Sequence, residues 1–362
     1  MRSEAKKPHA GDNGESSSRD ERTDAAEWDG TFISTFDYPD SAVFRERSVV
    51  IPRVIPPAPK DEAKDFLAVI RAARTAKAMV LDCASGRIQP ELLACCVIGL
   101  WRKRHRPVIV MAGAMWHKDP GLRGVIQKAV LRLADRAVAR YAMQSTEEFP
   151  AFVRSWGIPE RKLRFMHYYY TFTERDLRDV PPAAEDFVFA GGNTHRDYLP
   201  LIEAMKNLPE HRLVIGSKLL EGMELPANVE AGQLPREEFI RKMRSARAVV
   251  VPIRQGLTRS TGHQTYLNGM LLRKPTIVTD VLGVREYTED GRAVMIVDGT
   301  PEGYEAAIRK VFSPGNQEEI ERMCDLAQKL ATEEYTFEDY ADRLVQILDE
   351  AVLERTTGMF AR

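Results

Sequence analysis

Two short stretches hold the residues best able to do chemistry. In VFAGGNTHRDY (188–198) an apolar run ends in Gly191-Gly192, followed by polar residues and Arg196. In RSTGHQTYLNGMLLRKPTIVTD (259–280) Ser260, Thr261 and Gly262 precede a run with helical spacing, and Lys274-Pro275 leads into an apolar stretch ending in Asp280. Glycine permits close approach of a ligand to the backbone, and the first amides of a helix have no partner within it. The amides of Gly262 and His263, nearby hydroxyls and the guanidinium groups of Arg196 and Arg254 would together seat an anion. Each stretch alone also has a plainer reading, as a tight strand-to-helix turn or as ordinary N-capping by Ser260 or Thr261. Two such loops at equivalent edges of one sheet favour a diphosphate. The G-x-G-x-x-G fingerprint is absent, which disfavours a nicotinamide dehydrogenase.

The elements that would position these loops alternate along the chain. FLAVIRAARTAK (66–77) has helical spacing and AMVLDC (78–83) reads as a buried strand. The helix PELLACCVIGLWRKR (90–104), the strand PVIVMAG (107–113) and a long helix over 121–141 follow, with a strand hidden near its end. Ser145 begins a helix with Glu148 three positions on, the pattern of a capping box, and Gly157 ends it. PPAAED (181–186) reads as a hinge, after which FVFAGG, HRLVIGS, AVVVPI and PTIVTD are strands between helices near 198–207, 232–246, 262–272 and 301–312. The last segment is amphipathic helix with a break near Thr336. Such alternation predicts an α/β fold of two Rossmann-like domains facing a cleft, each a parallel sheet covered by helices. The expected boundaries are a disordered tail over 1–30, domains over 31–180 and 181–315, and C-terminal helices over 316–362 that pack back across the domains.

Bulk properties narrow the class. A chain of 362 residues, 44% apolar, suffices for two cores. A formal net charge of −1 argues against a nucleic-acid binder. The four cysteines lack metal-ligand spacing and read as small buried residues, so no metal site is expected. The longest apolar run, LLACCVIGLW (92–101), is too short to span a bilayer. The acidic, aliphatic-poor start has no signal-peptide core, so a cytoplasmic location is expected. Basic residues at 118, 123, 128, 132, 136 and 140, against Asp119 and Asp135, suggest either a solvated face or peripheral contact of 121–140 with the inner membrane face.

The order AGG…RDY, VIGS, GQLPREEFIRKMRSARAVVVP, STG…YLNGMLLRKPTIVTD and VLGVREYTEDG resembles the nucleotide-sugar-binding half of GT-B glycosyltransferases, especially glycosyltransferase family four. The likeness covers about 185–312 well and 78–170 more weakly. Leu267, Asn268, Gly269 and Met270, then Arg273 to Ile277, Thr279, Asp280, Gly283 and Glu286 follow that family's helix, strand and glycine loop. The resemblance implies transfer of a sugar from a nucleotide diphosphate sugar, as co-substrate, to an acceptor hydroxyl of a glycan, lipid-linked or small-molecule acceptor, with no metal ion and no further cofactor.

It further implies a donor site of Gly191, Gly192, Arg196, Ser260, Thr261, Gly262, Gln264, Thr265, Asn268 and Glu286. Lys218 or Arg254 would be the second member of a basic pair. In the first half, His117 and Asp119, in a loop after a strand, are the candidate catalytic groups, His117 orienting or deprotonating the acceptor hydroxyl. The family places carboxylates where Ser260 and Asn268 stand. This departure keeps two alternatives open: a GT-B-like scaffold that has lost catalysis, and a sugar-nucleotide epimerase on the same fold.

Overall fold

The computed structural model describes residues 28–52, 59–83, 89–114, 116–179 and 185–358. Most of the expected N-terminal tail and most of the expected 181–186 hinge lie outside these residues.

The first sheet contains β1 (Phe32–Ser34), β2 (Ser48–Val50), β3 (Ala78–Asp82), β4 (Val108–Ala112), β5 (Val138–Met143) and β6 (Leu163–Phe165). Its order is β2-β1-β3-β4-β5-β6, and every pairing is parallel. AMVLD and VIVMA, buried at every position, are uniformly apolar but for the terminal Asp82 because helices cover both faces. The covering helices are α1 (Ala42–Arg47), α2 (Pro59–Ala72), α3 (Pro90–Ile98), α4 (Gly121–Ala134) and α5 (Phe149–Trp156). The short β1-α1-β2 unit precedes the first element expected from the pattern, since three-residue strands are too brief to show a period.

After α6 (Glu174–Asp179) comes a second parallel sheet, of β7 (Phe187–Gly191), β8 (Arg212–Gly216), β9 (Val229–Gly232), β10 (Ala248–Val251), β11 (Thr276–Thr279) and β12 (Met295–Val297). Its order is β12-β11-β10-β7-β8-β9. The helices α7 (Leu199–Lys206), α8 (Arg236–Ser245), α9 (His263–Leu271) and α10 (Pro301–Phe312) cover it. Strand order reverses between β1 and β3 in one sheet and between β7 and β10 in the other. Ligands of open α/β sheets sit outside the carboxyl ends of strands at such switch points.

Three sequence expectations shift. The helix expected over 121–141 ends at Ala134; Arg140 stands in β5 and pairs with Glu354 rather than extending a basic helix face. The chain enters the second domain before the expected hinge, because Phe172 and Leu177 already pack in that domain's core. Ser145 does cap its segment, accepting from Glu147 N at 3.1 Å, but Glu148 closes no capping box. Its carboxylate turns to the other domain instead.

The terminal helices split between the domains. α11 (Gln317–Glu334) packs on α9, and Thr336 with Asp339 forms the capping box that starts α12 (Phe337–Thr357). α12 returns to the first sheet, where Tyr340, Leu344, Ile347 and Leu348 bury against β3 and β4 residues. Asp349 on its outer side accepts from Trp28 Nε1 at 2.9 Å and from Arg47 at 2.7 and 3.0 Å. Leu348 is fully buried, so Leu348→Ala should lower stability by about 2–4 kcal/mol through lost transfer energy and a cavity. Urea unfolding should show this as a lower midpoint.

Candidate functional site

The two switch points face one another across a cleft of about 450 Å³. From the first domain come Phe36 and Tyr38 after β1, Asp82 at the end of β3, Gly113 after β4 and Gln144 after β5. From the second come the loop after β7 and the loop after β10. The crossing segment adds Tyr168 and Tyr169, and α12 adds Tyr340. These rings pack on one another, Tyr168 and Tyr169 stacked at 4.7 Å and Phe36 and Tyr38 at 5.0 Å, giving the first-domain side a rigid aromatic wall.

The two second-domain loops are tied together. An antiparallel bridge joins Arg196 and Ile253, Arg254 N donates to His195 O at 2.9 Å, and Asp197 N donates to Pro252 O at 3.0 Å. Gly192 has φ +112°, and a Cβ there would meet the Arg196 guanidinium at 3.1–3.3 Å. Gly262, with φ +90°, starts α9 with no side chain capping it, and an added Cβ would lie 2.6 Å from Ile253 Cδ1. The loop therefore lies flat on the sheet edge, and the unpaired amides at the start of α9 open toward the cleft. Neither Ser260 nor Thr261 acts as the N-cap.

Arg196 lies in this floor. Its guanidinium donates to Gly191 O at 3.2 Å, Thr194 O at 3.0 Å and Thr265 Oγ1 at 2.8 Å, all uncharged acceptors. Among the described residues no carboxylate forms an ion pair with Arg196, Arg254 or Arg259. Arg259 lines the cleft as well, donating from Nη2 to His195 Nε2 at 2.8 Å, while its buried Nε has no partner. His195 in turn meets His117 of the first domain, Nε2 to Nε2 at 3.3 Å. Burial, then the charge of Arg259, pushes His195 down to about 4. His263, buried at the first turn of α9, is pushed down to about 3 by burial and then by neighbouring His167, Arg259 and Arg196. Depressed imidazoles beside unpaired arginines define a site with excess positive character.

The predicted site residues divide accordingly. Gly192, Arg196, Ser260, Thr261, Gly262, Gln264 and Thr265 line the cleft. Gly191 serves packing, since a Cβ there would strike Phe239 at 2.4 Å. Lys218 is exposed, offers its amide to Asn193 Oδ1 at 3.0 Å and does not line the cleft. Arg254 stands behind His195, and Arg259 takes the place at the cleft expected of a second basic residue.

Asn268 is spent on the crossing segment. Its Oδ1 accepts from Thr171 N at 2.8 Å and Phe172 N at 3.2 Å, and Nδ2 donates to Thr171 Oγ1 at 3.0 Å. Glu286 accepts from Thr146 N at 2.9 Å, an interdomain contact. His117 is exposed beside His195, and Asp119 accepts from Gln127 Nε2 at 2.9 Å at the start of α4. Asp119 is thus a loop-fixing group outside the cleft.

Sequence reading missed Asp82, Glu148, His195, Arg259 and the Phe36, Tyr38 and Tyr340 part of the aromatic wall. The tyrosines of HYYYTFTERD (167–176) read as lining an acceptor site or packing between the domains, and Tyr168 and Tyr169 do line the cleft. Asp82 carried a signal, an acid ending an apolar strand run, and Arg259 opened a stretch singled out for its neighbours. Glu148 carried a signal for a different role. It is buried, accepts from Ser260 N at 2.7 Å and from Ser260 Oγ, and burial raises its carboxyl above the usual range. The carboxylate missing at position 260 is thus supplied to that serine by the opposite domain.

No family model and no curated protein matches the sequence. Solved structures do. A glycosyltransferase from Rickettsia africae ESF-5 is similar with a TM-score of 0.60 at 12% identity, over 88% of this chain and 89% of that one. Anabaena Alr3699/HepE, solved in complex with UDP, is similar with a TM-score of 0.59 at 13% identity, over 90% of this chain and 92% of that one. A protein assigned as UDP-N-acetylglucosamine 2-epimerase from Listeria monocytogenes reaches 0.53 at 10% identity, over 90% and 97%. The fold is GT-B.

The roles of Asn268 and Gly262 are both structural ones that unfolding can read. Asn268→Ala should cost about 2–3 kcal/mol of stability, through three lost hydrogen bonds at a buried site. Gly262→Ala should cost about 1–3 kcal/mol, because the left-handed backbone and Ile253 force the start of α9 to move. Thermal unfolding of the two variants beside the parent checks both.

Proposed function

We propose that the protein is a glycosyltransferase that moves a sugar from a nucleotide diphosphate sugar to an acceptor hydroxyl. The observation that carries the reading is the set of unpaired cations at the start of α9, directly opposite an aromatic, carboxylate-bearing wall. In the reaction the bond from the sugar's anomeric carbon to the diphosphate oxygen breaks, and a bond from that carbon to the acceptor oxygen forms. The diphosphate leaves with the electron pair, and the acceptor's proton passes to a base. Arg196, Arg259 and the α9 amides are placed to stabilise charge developing on the leaving group, the work that a metal ion does elsewhere. They support a metal-independent reaction that needs no further cofactor. Asp82, at the acceptor side of the cleft, is the carboxylate to which this reading gives the proton. His117 stands beside the cations instead, and Asp119 is held by Gln127.

The first domain also exposes an apolar strip on α4. Leu122, Val125 and Ile126 share one face of this helix and are 75%, 62% and 55% exposed, with Arg123, Lys128 and Arg132 nearby. An exposed apolar strip flanked by cations supports peripheral contact with an anionic lipid surface, hence a cytoplasmic protein acting on membrane-associated acceptors. No helix among the described residues is long and apolar enough to cross a membrane.

Nucleotide release from a panel of UDP-, GDP- and dTDP-sugars tests the reaction. Arg196→Ala should weaken nucleotide affinity by about 1.5–3 kcal/mol, the value of a charge-assisted contact. Asp82→Asn should lower kcat by about 10²-fold or more with nucleotide affinity unchanged. Absence of both turnover and nucleotide-induced thermal shift would leave a scaffold, and interconversion of a UDP-sugar without acceptor would identify an epimerase. For the membrane contact, cosedimentation with vesicles containing phosphatidylglycerol should fall at least fivefold in Ile126→Asp, and phosphatidylcholine vesicles should bind little of either protein.

A further inference from the structure

A second cavity, of about 300 Å³, lies between the domains and shares Arg259 with the nucleotide cleft. The loop after β4, the inner side of α5 and the 256–259 loop enclose it. Its lining combines three kinds of group. Trp116 and Trp156, with ring centroids 6.3 Å apart and nearly perpendicular, form an aromatic side. Trp116 is held in place, its Nε1 donating to Gln89 Oε1 at 3.0 Å. Glu148 is the one carboxylate, with Oε1 taken by Ser260 and Oε2 without a protein hydrogen bond among the described residues. His117, Lys118 and Arg259 are cations or potential cations, none in an ion pair.

These groups suit different parts of one molecule. An aromatic face receives the C–H face of a saturated ring. A carboxylate with a vacant oxygen accepts from ring hydroxyls, and its burial excludes competing water. Arg259 lines the cavity with no ion-pair partner among the described residues, so its charge is left for an anion to compensate. A simple sugar would leave the cations unused, and a simple anion would leave the aromatic and carboxylate groups unused. We propose that this cavity binds a phosphorylated sugar or polyol, its ring on Trp116, its hydroxyls at Glu148 and its phosphate at His117, Lys118 and Arg259.

Protonation follows from the same contacts. His117 faces Arg259, Arg254 and His195 from the second domain and Asp119 from its own loop. Its pKa is lowered, first by burial and then by the arginines, so the free site holds a neutral imidazole near pH 7. A phosphate dianion reverses that balance, and binding takes up protons.

The full-length protein, free and saturated with UDP, should be titrated calorimetrically with glucose 6-phosphate, fructose 6-phosphate, glucose and inorganic phosphate. The expected result is that at least one sugar phosphate binds tenfold or more tightly than glucose or phosphate alone, without competing with UDP. His117→Ala and Lys118→Ala, both on an exposed loop, should each weaken it at least fivefold with UDP affinity within twofold. Proton uptake, measured in buffers of different ionisation enthalpy, should disappear in His117→Ala. Competition with UDP, affinity no better than that of glucose or phosphate alone, or indifference to both variants overturns the site. Binding of a sugar phosphate with this variant pattern in a protein that binds no nucleotide would overturn the donor reading and leave the cavity's assignment standing as a binding site.

Discussion

The separation of the two sheets is set by one short segment, 144–148, that bonds to the opposite domain at nearly every residue. Gln144 O accepts from Tyr287 Oη at 2.9 Å, Thr146 N donates to Glu286 at 2.9 Å, Glu147 accepts from Gly283 N at 2.8 Å and Glu148 accepts from Ser260 N at 2.7 Å. Gly283 permits the approach, because a Cβ there would sit 2.9 Å from Ser145 Cβ and 3.0 Å from Ser260 Cβ. Interfaces between domains of one chain are ordinarily loose enough to move. Here several charged or buried hydrogen bonds share a few residues, so the cleft and its neighbouring cavity have defined shapes before any ligand arrives. Both depend on this spacing: His117 reaches His195 and Glu148 reaches Ser260 only because the segment holds the sheets at this distance.

Much of the fold was legible because parallel sheets force long apolar runs at regular intervals. AVVVPI, PTIVTD and FVFAGG announced β10, β11 and β7, and the break at Thr336 announced the start of α12. The misses have physical causes. The β1-α1-β2 unit is too short for any period to emerge. Glu148 three residues after Ser145 satisfies the sequence form of a capping box, yet a tertiary partner, Ser260, outcompeted the local amide. Asn268 occupied a position where a carboxylate was expected and was read by its column in that resemblance. Its neighbours in space, Thr171 and Phe172, lie almost a hundred residues away and could not be seen along the chain.

The site was legible by residue type and illegible by pairing. Any of Arg196, Lys218 and Arg254 fitted a basic pair, because sequence gives no measure of which arginine lacks a counter-ion. The structure distinguishes them. Arg285, close by in the second domain, is neutralised by Asp280 at 2.8 Å and Asp290 at 3.0 Å. Arg196 and Arg259 meet only neutral acceptors. Unpaired cations gathered by two loops cost the folded state, and that cost is reduced when an anion binds.

The histidines make the same point from proton occupancy. His195 and His263 are held neutral by burial and by neighbouring positive charge, so the folded protein resists binding protons that the unfolded chain takes up below pH 6.5. Their folded values lie below the unfolded one. Their contribution is therefore neutral above pH 6.5 and increasingly destabilising as pH falls toward about 4 and about 3. A bound anion beside Arg259 and Arg254 would raise both values and recover part of this loss, by setting negative charge against the guanidinium groups that depress them. Stability, proton binding and ligand affinity are thus linked through one set of side chains. The free protein holds these charges in place ahead of the ligand, and binding then requires little rearrangement of the site.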